Sequence, residues 1–218
     1  FFETNMSVAK KARIEATPAK DPFAVEFLEY IDSTPTPFHL CEQTITRLEA
    51  KGFTGLDEKE SWIDSIKPGG KYYFTRNGST LVAFTVGNKF VSGNPFKAVG
   101  GHTDSPVLKV KPVSKRTKDG YIQVGVECYG GGLWHTWFDR ELTVAGRVII
   151  KTAQGFESKI VKVNRPILRV PNLCIHLQSG EERAAFKVNK ETHLQPIFAM
   201  VNDTLNKDTG LMLNSLDV

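Results

Sequence analysis

Ala98-Val99-Gly100-Gly101-His102-Thr103-Asp104-Ser105-Pro106 decides how this chain is read. A short apolar run ends in paired glycines, and a histidine and an aspartate follow two residues apart. Read as a buried strand, 96–99 delivers His102 at its end, and Asp104 points the same way because strand side chains alternate with period two. The glycines permit a sharp turn or a close backbone approach. In open α/β sheets, ligands gather at the carboxyl ends of strands, where this pair then sits. A neutral imidazole nitrogen binds zinc, and a nearby carboxylate orients the site or its working base. By itself the pattern also suits a surface His and Asp that merely follow a strand.

Upstream of this stretch the sequence predicts two helices and a hairpin. Asp21-Pro22 and Thr36-Pro37 each supply an N-cap followed by proline at the first helical position. Phe23, Phe27, Leu28 and Ile31 follow the first at helical spacing, and Cys41, Ile45 and Leu48 line the second, with Gly52 as its stop. His39, in the second helix's first turn, is expected to pack or cap locally. Runs at 71–76 and 79–86 flank Asn77-Gly78, a strong hairpin signal. Helices, a hairpin and then a strand that delivers ligands look like the opening of an α/β catalytic domain.

Downstream the texture changes. Runs at 107–113, 121–128, 142–151 and 159–163 are short and β-branched or alternating, joined by Gly, Asp and Lys turns. They predict a separate β sandwich or barrel, with no long helix before about Glu191. The composition shift at Pro106 divides the chain into a mobile polar arm (1–20), the N-terminal part of a catalytic domain (21–106) and a β-rich domain (107–218).

Composition excludes several classes. The 218 residues, 40% hydrophobic, suffice for a real core, and no apolar run nears the roughly 18 residues of a membrane span. The net charge of +4 partly reflects Lys109, Lys111, Lys115, Arg116 and Lys118, which lack interleaved aromatics and read as a solvated loop rather than a nucleic-acid site. Cys41, Cys128 and Cys174 are odd in number and far apart, as expected of buried free thiols in a reducing compartment. No GxSxG elbow and no GxGxxG or P-loop spacing occurs. Met6-Ser7 offers a natural start, and the residues before it lack a secretory core. A cytoplasmic setting is expected, with a vacuole or organelle as the lesser alternative.

Gly130-Gly131-Gly132 is expected to turn tightly and bring Trp134, Trp137 and Phe138 together. His135 reads as structural, and Asp139-Arg140 as an ion pair. His176 lies in Leu173-Cys174-Ile175-His176-Leu177, an alternating run predicted as a strand that places its imidazole beside Cys174.

The GGHTDSP stretch, Tyr129-Gly130-Gly131-Gly132-Leu133-Trp134, and Thr136-Trp137-Phe138-Asp139-Arg140 together resemble the M18 metallopeptidases, in their aspartyl aminopeptidase branch. So do Thr36-Pro37-Phe38-His39, Arg165-Pro166-Ile167-Leu168-Arg169 and Ile175-His176-Leu177, in the family's order, from about Ala12 to about Met200. The resemblance implies the N-terminal part of a zinc-exopeptidase-like α/β catalytic domain, with a β-rich dimerisation domain inserted after the His-x-Asp motif. It implies removal of N-terminal Asp or Glu from peptides by a zinc-activated water, with two Zn2+ per active site. His102 is then a metal ligand, Asp104 the catalytic-site residue that orients the ligand or the metal centre, and His176 a substrate-binding residue that reaches the neighbouring subunit's site. The implied partners are peptides with acidic N-termini and further copies of the chain, in dimers and larger assemblies, with neither nucleic acid nor membrane.

His193 also fits the family pattern and carries no assigned role. A dinuclear site needs more ligands, including a shared carboxylate, and the resemblance implies a Glu-Glu pair, a bridging Asp and a final His. Glu181-Glu182 follows Ser179-Gly180 in a polar turn, the wrong setting for that pair. The alternative expectation is a catalytically inactive, truncated homologue that serves as a dimerisation or regulatory module.

Overall fold

The structure, a computed structural model, describes residues 21–201. The expected arm (1–20) and the end of the β-rich part (202–218) lie outside the described residues.

Both helices begin where their caps predict. In α1 (Pro22–Ser33), Asp21 accepts a hydrogen bond from the Phe23 amide at 3.0 Å. In α2 (Pro37–Glu49), Thr36 Oγ1 accepts from the His39 amide at 3.4 Å and shares a 2.7 Å hydrogen bond with His39 Nδ1. His39 therefore serves the cap. Burial pushes its imidazole below the ordinary histidine value, against the opposing field of Glu42. The two helices are clasped by Tyr30 to Thr44 at 2.8 Å and by Arg47 to Glu26 at 2.8 Å. The apolar residues of α1 occupy their predicted spacing, but Phe23, Phe27, Leu28 and Ile31 stay exposed.

Strands β1 (Thr54–Gly55), β2 (Lys71–Arg76) and β3 (Thr80–Thr85) form a three-stranded sheet with β2 in the centre. The β2–β3 turn runs through Asn77 and Gly78, both at positive φ (55° and 63°), as that dipeptide dictates. Tyr73 of β2 donates to Glu49 of α2 at 2.6 Å, and this bond lifts the phenol to about 12. A raised folded value means that the contact stabilises fully below the ordinary value of about 10 and is lost as pH climbs toward 12. Ultraviolet titration should therefore find Tyr73 ionising late. Glu49→Gln should return it toward the ordinary range; an unchanged titration would mean that the Tyr73–Glu49 bond is not made.

The expected strand at 96–99 does not form. Residues 86–106 carry no regular element, and Phe96 and Val99 are 91% and 104% exposed. A strand buried in a parallel sheet needs neighbours along its edges and across its faces. No described strand lies beside this run, so apolar content alone leaves it extended.

After Pro106 come β4 (Val107–Lys118) and β5 (Tyr121–Tyr129), a long hairpin that turns at Asp119-Gly120 and carries a bulge between Val110 and Lys115. A 3-10 turn (Trp134–Trp137), β6 (Glu141–Leu142), β7 (Ala145–Thr152), β8 (Gly155–Lys162) and β9 (Leu168–Arg169) follow. A second 3-10 turn (Ile175–Leu177), α3 (Gly180–Ala184) and β10 (Ile197–Met200) complete the described chain. The result is α/β, but among the described residues the later strands make no sandwich or barrel. Five form an antiparallel sheet in the order β4-β5-β10-β9-β6, and β7–β8 stand apart as a ribbon. The run 142–151 is split between the two, because Thr143 and Val144 leave one sheet to enter the other.

That ribbon packs on the N-terminal elements. Arg147 donates to the backbone carbonyl and the side chain of Asn77, both at 2.9 Å, and its guanidinium lies 4.3 Å from the Phe38 ring centre. Lys162 donates to the Asp32 carbonyl. Residues on either side of Pro106 thus share an interface.

The core of the five-stranded sheet is Trp134, Val170 and Leu194, with Leu108, Cys128, Trp137, Phe138, Leu142 and Val188 packed around it. Removing aliphatic side chains such as Val170 and Leu194 from water is worth about 1.5–3 kcal/mol each. Gln195, 4% exposed, extends the sheet with its side chain: Oε1 accepts from the Val126 amide at 3.0 Å, and Nε2 donates to the Glu191 carbonyl at 2.9 Å.

No helix begins near Glu191. Asn189 Oδ1 instead accepts from the Glu191 and Thr192 amides, and His193 Nδ1 accepts from the Asn189 amide, which closes a turn. Asp139 pairs with Arg169 at 3.3 Å rather than with Arg140, since its positive φ (56°) turns it toward β9. The thiols differ in burial: Cys41 is buried, Cys128 intermediate and Cys174 exposed, so the expectation of three buried thiols holds only in part. Among the described residues, no helix is long and apolar enough to cross a membrane.

Candidate functional site

His102 and Asp104 come together at the end of the irregular segment. His102 Nδ1 lies 2.6 Å from the Asp104 carbonyl oxygen and 3.2 Å from Asp104 Oδ1. Both partners can only accept, so Nδ1 carries a proton, and in the neutral ring Nε2 then presents its lone pair. With 82% of its side chain exposed, His102 offers that nitrogen outward.

The loop is tethered at three points. Thr103 Oγ1 donates to the Ser79 carbonyl at 3.0 Å, which ties it to the β2–β3 turn. Tyr129, the last residue of β5, donates its hydroxyl to Asp104 Oδ2. Gly130, at a φ of +80°, turns directly over Pro106. The Tyr129 bond, then Asp104's own amide, then His102 hold the Asp104 carboxyl below the usual carboxylate range. Tyr129 responds in the opposite direction, its phenol raised chiefly by the same bond.

Tyr129 belongs to one of the family-like motifs, yet its spacing in the sequence assigns it no task. The signal that places it is hairpin register: a strand that begins at Val107 and returns at Tyr129 must bring that phenol beside residues 104–106.

The glycine run behaves as expected. A β-carbon at Gly132 would lie 3.1 Å from the Trp134 ring, so the indole closes over bare backbone. Trp134 and Trp137 then pack with ring centres 6.1 Å apart.

His176 is exposed, in the 3-10 turn Ile175–Leu177 rather than on a strand. Among the described residues, the alternating pattern of 173–177 finds no neighbouring strand to pair with. Arg183 instead donates to the carbonyls of Ile175 (3.2 Å) and Gln178 (2.7 Å), and Gln178 donates to that of Leu173 (2.7 Å). Among the described residues, no hydrogen bond or ion pair joins His176 to His102 or Asp104. Glu182 is a capping residue: its carboxylate accepts from the Ser179 amide at 2.7 Å, and Ser179 Oγ accepts from the Glu182 amide at 3.1 Å.

The donor chemistry suits one zinc–imidazole bond at His102 Nε2. Among the described residues, no three His, Cys, Asp or Glu side chains gather as a metal-binding group. A zinc centre takes about three or four protein ligands, so these residues fit one corner of it.

Comparison with known proteins identifies the relatives of this chain. The sequence profile for "Aminopeptidase I zinc metalloprotease (M18)" matches residues 30–212. An Aspergillus oryzae protein named aspartyl aminopeptidase is 51% identical over 185 residues, which are 84% of this chain and 36% of that protein. A structure of Chaetomium thermophilum mApe1 superposes with a TM-score of 0.77 at 35% identity, over 90% of this chain and 47% of that one. The S. cerevisiae mApe1 dodecamer gives 0.66 at 32%, over 78% and 41%. The chain spans little more than a third of the length of curated relatives that it matches.

Proposed function

The chain belongs to the M18 family of aminopeptidase I zinc metalloproteases, and on that premise we propose that it forms the N-terminal part of an aminopeptidase that removes acidic residues, Asp or Glu, from peptide N-termini. The observation that carries this reading is the contact of His102 Nδ1 with the Asp104 carbonyl and carboxylate, which in the neutral ring leaves Nε2 free as a ligand atom at the loop's exposed end. His102 would hold zinc, with two ions per centre. Asp104 would orient that imidazole, as carboxylates commonly do for ligand histidines. Zinc in such a centre polarises a carbonyl and lowers the pKa of a water.

Residues 107–218 would form the dimerisation domain, with the boundary at Pro106, and the resemblance to a dodecameric relative supports self-association. His176, exposed on a turn braced by Arg183, would contact substrate in the neighbouring subunit's site. Exposed free Cys174 suits a cytoplasmic setting.

The test is hydrolysis of Asp- and Glu-terminated peptides by the protein at its native length, with and without a zinc chelator. Chelator-sensitive release of the acidic residue is expected. Chelator-insensitive release, or a preference for neutral N-termini, would overturn the reading. An assembled protein without hydrolysis would favour the inactive module instead. His176→Ala should lower turnover about tenfold or more, the scale of a lost hydrogen bond to a charged partner, and leave bound zinc unchanged. Zinc loss in that variant would refute a substrate role for His176.

A further inference from the structure

We propose that Tyr129 is a positioning residue, which biases the tautomer of His102 by holding the Asp104 carboxylate, the second acceptor on Nδ1 beside the Asp104 carbonyl. The proposal deepens the reading above and rests on His102 being a ligand. A carboxylate turns about a broad terminal torsion and can present either oxygen in many directions. Tyr129 fixes it by donating to Oδ2, and Oδ1 then faces His102 Nδ1 at 3.2 Å. The backbone that carries the phenol is held on both sides, because Tyr129 pairs with Val107 in the β4–β5 ladder and Gly130 turns over Pro106 just beyond it.

Lys109 strengthens the arrangement. Its ammonium lies 3.7 Å from the centre of the Tyr129 ring. A cation on the π face draws electron density from the ring, which makes the hydroxyl a better donor to the carboxylate. Lys109 and Tyr129 both belong to the β4–β5 hairpin, and Asp104 and His102 to the loop before it. The hairpin therefore acts on the loop's donor atom within one chain.

The consequence is chemical. A free imidazole in water favours the proton on Nε2, which would block the nitrogen that His102 offers. His102 is mostly exposed, so water competes for Nδ1, and the acceptors held against that nitrogen decide the outcome. Removing the Tyr129 hydroxyl loosens the carboxylate acceptor and leaves the Asp104 carbonyl at 2.6 Å, so the proton should shift part of the way toward Nε2.

Imidazole 15N NMR on the metal-free protein at its native length tests this. Wild-type His102 should show the Nδ1–H form, and Tyr129→Phe should move it toward Nε2–H, with His39 and His193 unaltered as folding controls. Tyr129→Phe should also weaken zinc binding about 10- to 100-fold, the usual effect of removing a group that supports a ligand. Should Tyr129→Phe disturb His39 and His193 as well, Lys109→Met, which keeps the hydroxyl, should give a smaller shift in the same direction. An unchanged His102 tautomer in a folded variant overturns the proposal. If the wild type hydrolyses no acidic peptide while the tautomer still shifts, the proposed function falls and the positioning role stands.

Discussion

His102→Ala should abolish chelator-sensitive hydrolysis of acidic peptides by the native-length protein and lower its bound zinc. The loss should exceed the roughly 10- to 100-fold that follows removal of a residue that merely supports a ligand. Its fold should survive, because the side chain is largely exposed and its hydrogen bonds reach only Asp104, two residues away. Metal analysis and kinetics on one preparation separate the possibilities. Normal zinc content with normal turnover would remove His102 from the metal centre, and with it the strongest support for the proposed chemistry.

Trp134→Ala should cost about 3–5 kcal/mol of stability, the range for truncating a large buried aromatic. Trp134 is 5% exposed and joins Val170 and Leu194 in the core, with Trp137 packed beside it and the bare backbone of Gly132 beneath. Three elements far apart in sequence meet at this indole, so the surroundings cannot close over the hole by moving one segment. Against a typical total of about 5–15 kcal/mol, such a loss leaves the sheet marginal. Urea unfolding should show a large drop in midpoint, and a change below about 1 kcal/mol would mean that the indole is not a core residue.

The sheet lies beside the candidate site through Tyr129, so the same variant should also disturb Asp104. Lowering the pH acts there more directly. The folded Asp104 carboxyl titrates below its ordinary value, so its contacts with Tyr129 and His102 are complete above that ordinary value. They are lost as the pH falls through the lowered one.

Local chemistry is legible in the order of the residues. Asp21, Thr36 and Asn77-Gly78 act through neighbours one to three residues away, and both caps and the hairpin turn stand where those residues put them. The His-x-Asp contact is equally local, since two residues separate the groups. The segments that depart from expectation share the opposite property. Residues 96–99 and 173–177 have strand composition, but a strand exists only where another edge accepts its hydrogen bonds. Near Glu191 the Asn189 side-chain oxygen captures the amides of Glu191 and Thr192 and closes a turn.

By itself, then, the amino-acid sequence determined the family, the helix starts, the main hairpin and the histidine–aspartate pair, because each is written in contiguous residues. Only the tertiary structure decided that Gln195 pairs with Val126, that Arg147 ties the β7–β8 ribbon to Asn77, and that Tyr129 reaches Asp104. Those contacts join residues 69, 70 and 25 positions apart. Strand register, bulges and the packing of one sheet select such partners, and no spacing along the chain encodes them.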